Sequence, residues 1–289
     1  MGMWKWNRTG SEDRSRARWM AFSCRCLEVP EEPGYWKVEV WNVDYLYDGT
    51  YQGLLCCVYA HYYVAPATGI YREGEYQTSL FGQVWRVKTE ADKARRVYEA
   101  MEKKLGEFTL RRSYLSYLSC FPDKEMRLLK YLVFGFKQGM GFNNLHGHPD
   151  VFGVQEMEKR IYNERHRFLG ILRFSVIEGK QKVLYASLEP DNDILELLAD
   201  HFLERYQAEP FIIHDLKREK AIFAFEGQWY IAPLVKDVTV HLAQEEECYR
   251  ALWKNYFETI AIKERTNPNC QRNFMPKKYW NHMTEVSTL

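Results

Sequence analysis

The sequence predicts an α+β fold, with a helical N-terminal half and a small four-stranded antiparallel sheet with packed helices in the C-terminal half. Apolar residues of the first half recur at spacings of three and four, which is the helical period. Short runs rich in valine, isoleucine and aromatic residues in the second half are separated by turn formers, which indicates strands. With 289 residues, 46% of them hydrophobic, the chain can bury two cores. We predict an extension over 1–34, a mainly helical domain over 35–165 and an α+β domain over 166–289.

The first 34 residues mix arginine, serine, glutamate and tryptophan, and they end in the turn-forming run PEEPG at 30–34. This composition predicts a partly disordered extension. The next run, YWKVEVWNVDYLY at 35–47, alternates rings and valines with polar residues. Such alternation predicts a strand.

A buried helix is predicted over 51–64, with Asp48 or Thr50 as its cap. The helix is apolar on nearly every side, so His61 within it fits a core histidine better than a catalytic base. One strand and four helices complete the first half. Their predicted ranges are 81–88 for the strand, then 90–105, 109–120, 123–138 and 150–165 for the helices.

The glycine-rich loop GMGFNNLHGHP at 139–149 carries His146 and His148. Two histidines at this spacing can share a metal when they lie on a strand, but no third ligand stands at a fitting distance along the chain. The sequence therefore predicts no bound metal.

The second half is predicted as strands and one helix. The ranges are a hairpin of 166–176 and 181–188, a helix over 191–206, and strands at 211–215, 221–225 and 228–233. Polar side chains collect at the ends of these elements, and His166, His201 and His214 are the candidate acid–base groups. Because consecutive strand residues point to opposite faces, His214 and Asp215 are not expected to act together.

The last long helix is predicted over 245–262. Its apolar residues recur every three or four positions, which predicts that one face packs on the sheet as core. The residues of this face are Tyr249, Leu252, Trp253, Tyr256 and Ile260.

The loop that follows this helix is locally basic. Between 263 and 278 it has five lysines and arginines against one acid, in a chain of net charge +1. Cations attract phosphates, amides can contact base edges and planar rings can stack on exposed bases, so the mixture suits a nucleic-acid contact. A solvated cluster that Tyr279 and Trp280 fasten to the core is the other interpretation. The candidate nucleic-acid-binding residues are Arg167, Arg173, Arg205, Arg218, Arg265, Asn267, Gln271, Lys277, Lys278, Tyr279 and Trp280.

Several motifs together carry a family resemblance. They are YLYDGTYQGLL at 45–55, HRFLGILRF at 166–174, YASLEPDND at 185–193, IIHDLKR at 212–218, IxERxN at 262–267 with Gln271, and MPKKYW at 275–280. These runs resemble a bacterial family labelled "probable DNA metabolism protein", and the likeness extends over residues 43 to 285. Lys278 departs from that pattern, which has an arginine there. Lysine keeps the charge but lacks the planar fork of a bidentate phosphate contact.

The resembled family is associated with a radical SAM protein of DNA modification or repair. Its C-terminal domain is similar to one fused to uracil-DNA glycosylase-like proteins. The resemblance therefore implies a role in DNA metabolism, with DNA and a radical SAM protein as partners, but it implies no catalytic residue.

The composition also predicts where the protein is located and whether it holds a cofactor. No apolar run reaches the roughly 18–20 residues of a membrane span, and the charged start lacks the apolar core of a signal peptide, which predicts a cytoplasmic protein. The seven cysteines form no CxxC pair, so we expect reduced thiols, no iron–sulfur cluster and no cofactor. Any radical chemistry would then belong to a partner.

Three functions follow as hypotheses. The leading one is a DNA repair or DNA metabolism protein that binds nucleic acid and acts with a partner enzyme. The second is an enzyme acting on damaged or modified DNA bases, with His166, His201 or His214 as acid–base groups. The third is a protein-interaction scaffold whose basic loop contacts an acidic partner.

Overall fold

The computed structural model describes residues 43–77, 83–179, 181–207 and 209–284, and it confirms the α+β class. Over these residues the chain forms two separate sheets with helices packed around them. The predicted extension over 1–34 and the start of the strand predicted over 35–47 lie outside the described residues. None of the described helices has the length and apolar content that crossing a bilayer requires.

A three-stranded parallel sheet opens the described chain, and two of its strands fall within the strands predicted over 35–47 and 81–88. Its strands, in the order β2-β1-β3, are β1 (Val43–Tyr47), β2 (Ala67–Arg72) and β3 (Gln83–Arg86). Helix α1 (Tyr51–Tyr63) connects β1 to β2 and is largely buried, as its apolar sequence predicts. The hydroxyl oxygen of Thr50 caps α1 by accepting a hydrogen bond from Gly53 N at 2.9 Å. Strand β2 was not predicted because ATGIYR has no clear alternation of apolar and polar residues.

Four helices follow this sheet. They are α2 (Ala91–Leu105), α3 (Glu107–Tyr117), α4 (Lys124–Gln138) and α5 (Pro149–Ile171). Helix α5 crosses the predicted domain boundary at 165, and the strand predicted over 166–176 is wrong, because only Ser175–Ile177 form strand β4. Phe168 and Ile171 lie three residues apart, which places both in the core when this run is helical.

The C-terminal half contains a five-stranded mixed sheet, which corrects the predicted four-stranded antiparallel one. The order is β4-β5-β6-β7-β8, with β5 (Val183–Leu188), β6 (Phe211–Asp215), β7 (Lys220–Phe225) and β8 (Gln228–Pro233). Strands β5 and β6 are parallel, and the other neighbouring pairs are antiparallel. Helix α6 (Leu195–Arg205) lies between β5 and β6 in the chain, and a crossover helix returns the chain in the same direction.

Two clusters of buried side chains form the cores of the two halves. Helix α5 contributes to both, with Met157 in the first cluster and Ile161 in the second. Tyr117, at the end of α3, packs against both clusters. The halves therefore share two helices at their junction rather than a linker.

Helix α7 (Glu245–Ile260) forms where predicted, but the prediction that its apolar face packs on the sheet is wrong. Among its residues only Glu246 is buried, whereas Tyr249 is 62% exposed and Tyr256 is 55% exposed. The carboxylate of Glu246 accepts a hydrogen bond from Val176 N at 2.7 Å, so α7 is held at its first turn. The rings of the following turns are largely exposed.

Candidate nucleic-acid interface

Two of the sequence motifs meet at the buried carboxylate of Glu164 on α5. Its oxygens accept hydrogen bonds from Asp191 N (2.7 Å), Asn192 N (2.8 Å), the Asn192 side-chain amide (2.6 Å) and the Tyr279 hydroxyl (2.5 Å). Burial and the bond to Glu164 raise the pKa of the Tyr279 hydroxyl above its usual value. We call Glu164, Asn192 and Tyr279 the Glu164 cluster. It connects α5, the loop after β5 and the C-terminal segment.

Two of the predicted nucleic-acid-binding cations are paired with acids beside this cluster. Arg218 Nη1 donates to Asp215 Oδ2 at 3.0 Å and to the carbonyl oxygen of Pro190 at 3.2 Å. The ammonium of Lys278 binds the carboxylate of Asp191. Because their charge is balanced inside the protein, Arg218 and Lys278 add little to a phosphate-binding surface. Their observed role is to hold the loop after β5.

The His214 ring is buried and has a partner at each nitrogen. Its Nε2 lies 3.1 Å from the carbonyl oxygen of Leu234, which can only accept, so Nε2 carries the proton. Nδ1 then accepts from the Tyr185 hydroxyl at 2.9 Å. Burial lowers the pKa of His214, which favours this neutral form. Asp215 instead bonds to Arg218, so these neighbours act separately, as the strand alternation predicts.

The other two candidate acid–base histidines lie on helices. His166 is exposed on α5, and His201 is partly buried on α6, where its ring lies edge-to-face with Phe202 at 5.1 Å between centroids. In the described residues, no hydrogen bond or ring contact joins any two of His166, His201 and His214. The structure therefore does not assemble them into one acid–base group.

Three predicted arginines lie at different places on the second half. Arg167 Nε donates to the carbonyl oxygen of Phe274 at 3.2 Å, which fastens the C-terminal segment to α5. Arg173 lies over the Trp253 ring, 5.5 Å from its centroid, beside α7. Arg205 is exposed at the end of α6. Of these three, Arg173 is the one in contact with the rings of α7.

The segment after α7 is built as a short helix and turns. Asn267 caps helix α8 (Pro268–Phe274), since its side-chain oxygen accepts from Cys270 N at 3.0 Å. Tyr279 is buried, so its ring is closed to stacking, and Trp280 is half-buried with its ring nitrogen donating to the carbonyl oxygen of Met275 at 3.0 Å. The exposed polar members of the predicted set in this segment are Arg265, Asn267, Gln271, Lys277 and Lys278, of which Lys278 is paired with Asp191.

The exposed rings of α7 were missed as site candidates, because their spacing predicts a core face for Tyr249, Trp253 and Tyr256. Phe257 is also exposed and was not singled out, whereas Phe274 lies in the basic segment whose rings the sequence does predict for stacking. Arg250 and Lys254 lie beside these rings, but charged residues on the outer face are ordinary for an amphipathic helix, so they gave no distinguishing signal. Glu164 was also missed, since a lone acid in a helix has no distinctive pattern.

No group of three metal-ligating side chains occurs in the part of the chain that the structure describes. His148 instead caps α5 by accepting from Asp150 N at 3.3 Å, and its ring stacks on Phe134 at 3.7 Å. His146 is hydrogen-bonded to Gln155. Both loop histidines thus have structural partners.

Fold and surface define an α+β protein whose C-terminal half carries an exposed aromatic and cationic surface. The chain belongs to the family described as a domain of unknown function, DUF4130, whose model matches residues 122–285. The match runs from just before α4 to the C-terminal segment, so it includes the Glu164 cluster and α7. No curated protein and no solved structure matches the chain. The family description states no activity, so a role in DNA metabolism and a radical SAM partner stay predictions.

Proposed function

We propose that this protein binds single-stranded nucleic acid through α7 and the segment after it. The observation that carries the proposal is the exposure of four aromatic rings on one helix, Tyr249, Trp253, Tyr256 and Phe257. A ring in water offers a face on which an unpaired base can stack, and each such stack is worth about 1–3 kcal/mol. Bases within a duplex are already stacked, so a row of rings favours a single strand.

The charge around these rings supports the same function. Residues 250 to 280 carry seven lysines and arginines against two acids, although the whole chain has a net charge of only +1. Arg265 and Lys277 are exposed and have no acidic partner among the described residues. The first turn of α7 is acidic, from Glu245 to Glu247, and would repel phosphates. We therefore place the strand along the later turns of α7 and α8.

DNA metabolism is the biological setting that the family resemblance supports for this binding. An enzyme acting on modified bases is less well supported, because His214 has both ring nitrogens bonded within the protein and no contact links it to His166 or His201. Base release by the purified protein, lost on His201→Ala, would favour the enzyme instead.

Tyr256→Ala is expected to weaken the binding of a labelled single-stranded oligonucleotide about tenfold, because it removes one stacking face. Fluorescence anisotropy would measure the dissociation constant. Phe152→Ala is the matched control: Phe152 is equally exposed but lies on α5, and its loss should leave the affinity unchanged. Equal affinities for wild type and Tyr256→Ala would exclude α7 as the binding surface.

The oligonucleotide affinity is also measured as a function of salt concentration. Its salt dependence shows whether the exposed cations contact phosphates of the strand or serve a different acidic partner. Arg265→Gln and Lys277→Gln should each reduce the slope of log affinity against log salt by about 0.7 if the side chain neutralises one phosphate of a single strand. An unchanged slope in both variants would show that these cations do not contact the strand.

The edge strand β8 is a second candidate surface of this protein, for a partner enzyme. Tyr230 is 61% exposed and stacks on Phe223 at 5.5 Å, and Phe225, Ile231 and Val235 are also exposed. One side of β8 has no neighbouring strand in the described sheet, so its backbone can pair with a strand of another protein. This surface is separate from α7, which would allow a partner and a strand to bind together.

Tyr230→Glu is expected to abolish complex formation with the radical SAM protein implied by the resemblance, because it puts a charge into an apolar contact. Gln228→Glu adds the same charge at an exposed polar position of the same strand and should retain the complex. Size-exclusion chromatography of the mixed purified proteins reports the outcome. A complex that survives Tyr230→Glu would rule out β8 as the contact.

A further inference from the structure

A cavity of about 340 Å³ lies in the first half of the protein, where the end of α1, the start of β2, helix α4 and the start of α5 meet. This volume is at the lower end of the range of roughly 300–1,000 Å³ for small-molecule sites. Apolar and polar residues line it in equal number among the described residues. A lining of this kind can hold an apolar body and orient a polar group at the same time.

One side of the cavity is a stripe of helix α4. Met126, Lys130, Val133 and Lys137 follow one another at spacings of four, three and four, so their side chains share one face of the helix. Met126 and Val133 are half-buried against the first core, whereas both lysines are exposed. The stripe therefore alternates apolar side chains with two lysines, which are two helical turns apart, or roughly 10 Å along the axis.

The charge of the two lysines is not neutralised by the described part of the protein. Neither Lys130 nor Lys137 has an ion pair or a hydrogen bond with a described residue. Asp150 is the one acid among the described lining residues, and its Oδ2 lies 3.8 Å from Nδ1 of His148. The lining thus has two cations against one carboxylate, which favours an anionic ligand near the lysines.

Two histidines from different elements add N–H donors to the lining. Nδ1 of His61, on α1, accepts from Ala67 N at 3.0 Å, and Nδ1 of His148 accepts from Asp150 N at 3.3 Å. Because Nδ1 is the acceptor in each ring, Nε2 carries the proton. No described residue accepts from either Nε2, so both N–H groups are free to donate to a ligand. The bonds to the backbone hold the two rings in place.

His61 and Lys137 form the part of the cavity where an anionic group gains most. The ammonium of Lys137 is close enough to the His61 ring to contribute, after burial, to the lowered pKa of His61. The ring is therefore uncharged at neutral pH, and its Nε2–H lies near the Lys137 ammonium. These two donors can bind the oxygens of one carboxylate or phosphate group, and the bond from the ammonium is charge-assisted.

We infer that this cavity binds a small amphipathic anion, a molecule with an apolar body and a single carboxylate or phosphate group. The body packs on Met126 and Val133, and the anionic group binds the Lys137 ammonium and the His61 Nε2–H. A surface lysine is strongly hydrated, so a bare anion gains little from it, and burial of the apolar body supplies the rest of the affinity. The inference goes beyond the proposed function, since no described lining residue belongs to α7 or to the segment after it.

The test is isothermal titration calorimetry of the full chain with four compounds. Naphthoate and adenosine monophosphate each combine a ring body with an anionic group, whereas adenosine and inorganic phosphate each offer only one part. At least one of the two combined compounds should bind the wild type about tenfold more tightly than adenosine or inorganic phosphate does. Tighter binding of naphthoate would identify a carboxylic acid as the ligand class, and tighter binding of the nucleotide would identify a phosphate ester.

Three variants locate the binding in this cavity. Lys137→Gln should weaken the tighter compound about tenfold, because it removes a charge-assisted hydrogen bond at an exposed side chain and leaves the core unchanged. Val133→Thr keeps the shape of the stripe but adds a hydroxyl, and it should weaken the same compound several-fold. Lys103→Gln, at an exposed lysine of α2, is the matched control and should bind as the wild type does.

The contrary outcomes are distinguishable. Equal affinities of wild type and Lys137→Gln for the tighter compound would overturn the inference. If adenosine monophosphate loses affinity in Tyr256→Ala but not in Lys137→Gln, it binds at α7, which overturns the cavity inference and leaves the proposed function standing. Inorganic phosphate that binds as tightly as the combined compounds, or no binding of either combined compound, would also overturn the inference. Neither result bears on the oligonucleotide measurements, which concern a different surface.

Discussion

Glu164→Gln is expected to lower the free energy of unfolding by about 3 kcal/mol, although it changes one atom. The two carboxylate oxygens each accept two hydrogen bonds, and all four donors come from Asp191, Asn192 and Tyr279. In glutamine an NH₂ group replaces one of these oxygens. Its N–H bonds then point at neighbouring groups that are themselves donors. With the NH₂ group on the side of Tyr279, whose hydroxyl can reverse and accept, the buried Asp191 N–H still loses its acceptor, at a cost of roughly 1–3 kcal/mol.

Urea unfolding monitored by circular dichroism would measure this loss, with the slope m checked for constancy. Glu156→Gln on the same helix is the control: its partner is Arg160, one turn away at 2.7 Å in a largely solvated pair. Such a pair contributes at most about 0.5 kcal/mol. Comparable losses for the two variants would mean that the Glu164 cluster does not hold the C-terminal half together.

Lys124→Met is expected to remove a rise in stability with pH that the wild type shows above pH 8. Lys124 is buried at the start of α4, and its ammonium donates to the carbonyl oxygens of Tyr117 (2.6 Å) and Ser119 (2.8 Å). Burial, together with the nearby Arg72, lowers the pKa of Lys124 from 10.5 to about 8. The folded protein therefore releases this proton at a lower pH than the unfolded chain does.

The direction of the effect follows from proton linkage. Between pH 8 and 10.5 the unfolded chain keeps the Lys124 proton and the folded protein has lost it, so the free energy of unfolding rises with pH. The rise amounts to about 3 kcal/mol over this interval. Buried cysteines and tyrosines with raised pKa values, such as Cys57 and Tyr131, act in the opposite sense.

Both proteins contain those other groups. Subtracting the Lys124→Met curve of unfolding free energy against pH from the wild-type curve therefore removes their contributions. Unfolding in urea at several pH values from 7 to 10.5 would supply both curves, and Lys130→Met, an exposed lysine of the same helix, should match the wild type. Parallel curves for wild type and Lys124→Met would show that Lys124 titrates normally.

Elements with strong local signals could be predicted from the sequence. Helix α4 (Lys124–Gln138) begins one residue after the predicted start, and strand β6 (Phe211–Asp215) has the predicted bounds. Both have patterns that depend only on neighbouring residues: an apolar period of three to four for α4, and a β-branched run for β6. The excess of lysines and arginines after α7 could likewise be counted directly from the sequence.

The pairing of strands within each sheet could not be predicted from such local patterns. The direction of β5 against β6 depends on α6 returning the chain across the sheet, and β2 is a strand because β1 offers it an open edge. In each case the partner strand lies at least 20 residues away along the chain. A local pattern contains no information about such a partner.

The sequence by itself determined most of the helices, where the charge is concentrated and that α7 has one apolar face. Only the tertiary structure decided that this face stays in solvent, that Tyr279 is buried and that His61 and Lys137 share a cavity. The physical reason is that periodicity belongs to a single element, whereas burial requires a second surface. Here the second surface buries only Glu246 of α7, so most of the helix's apolar face stays exposed.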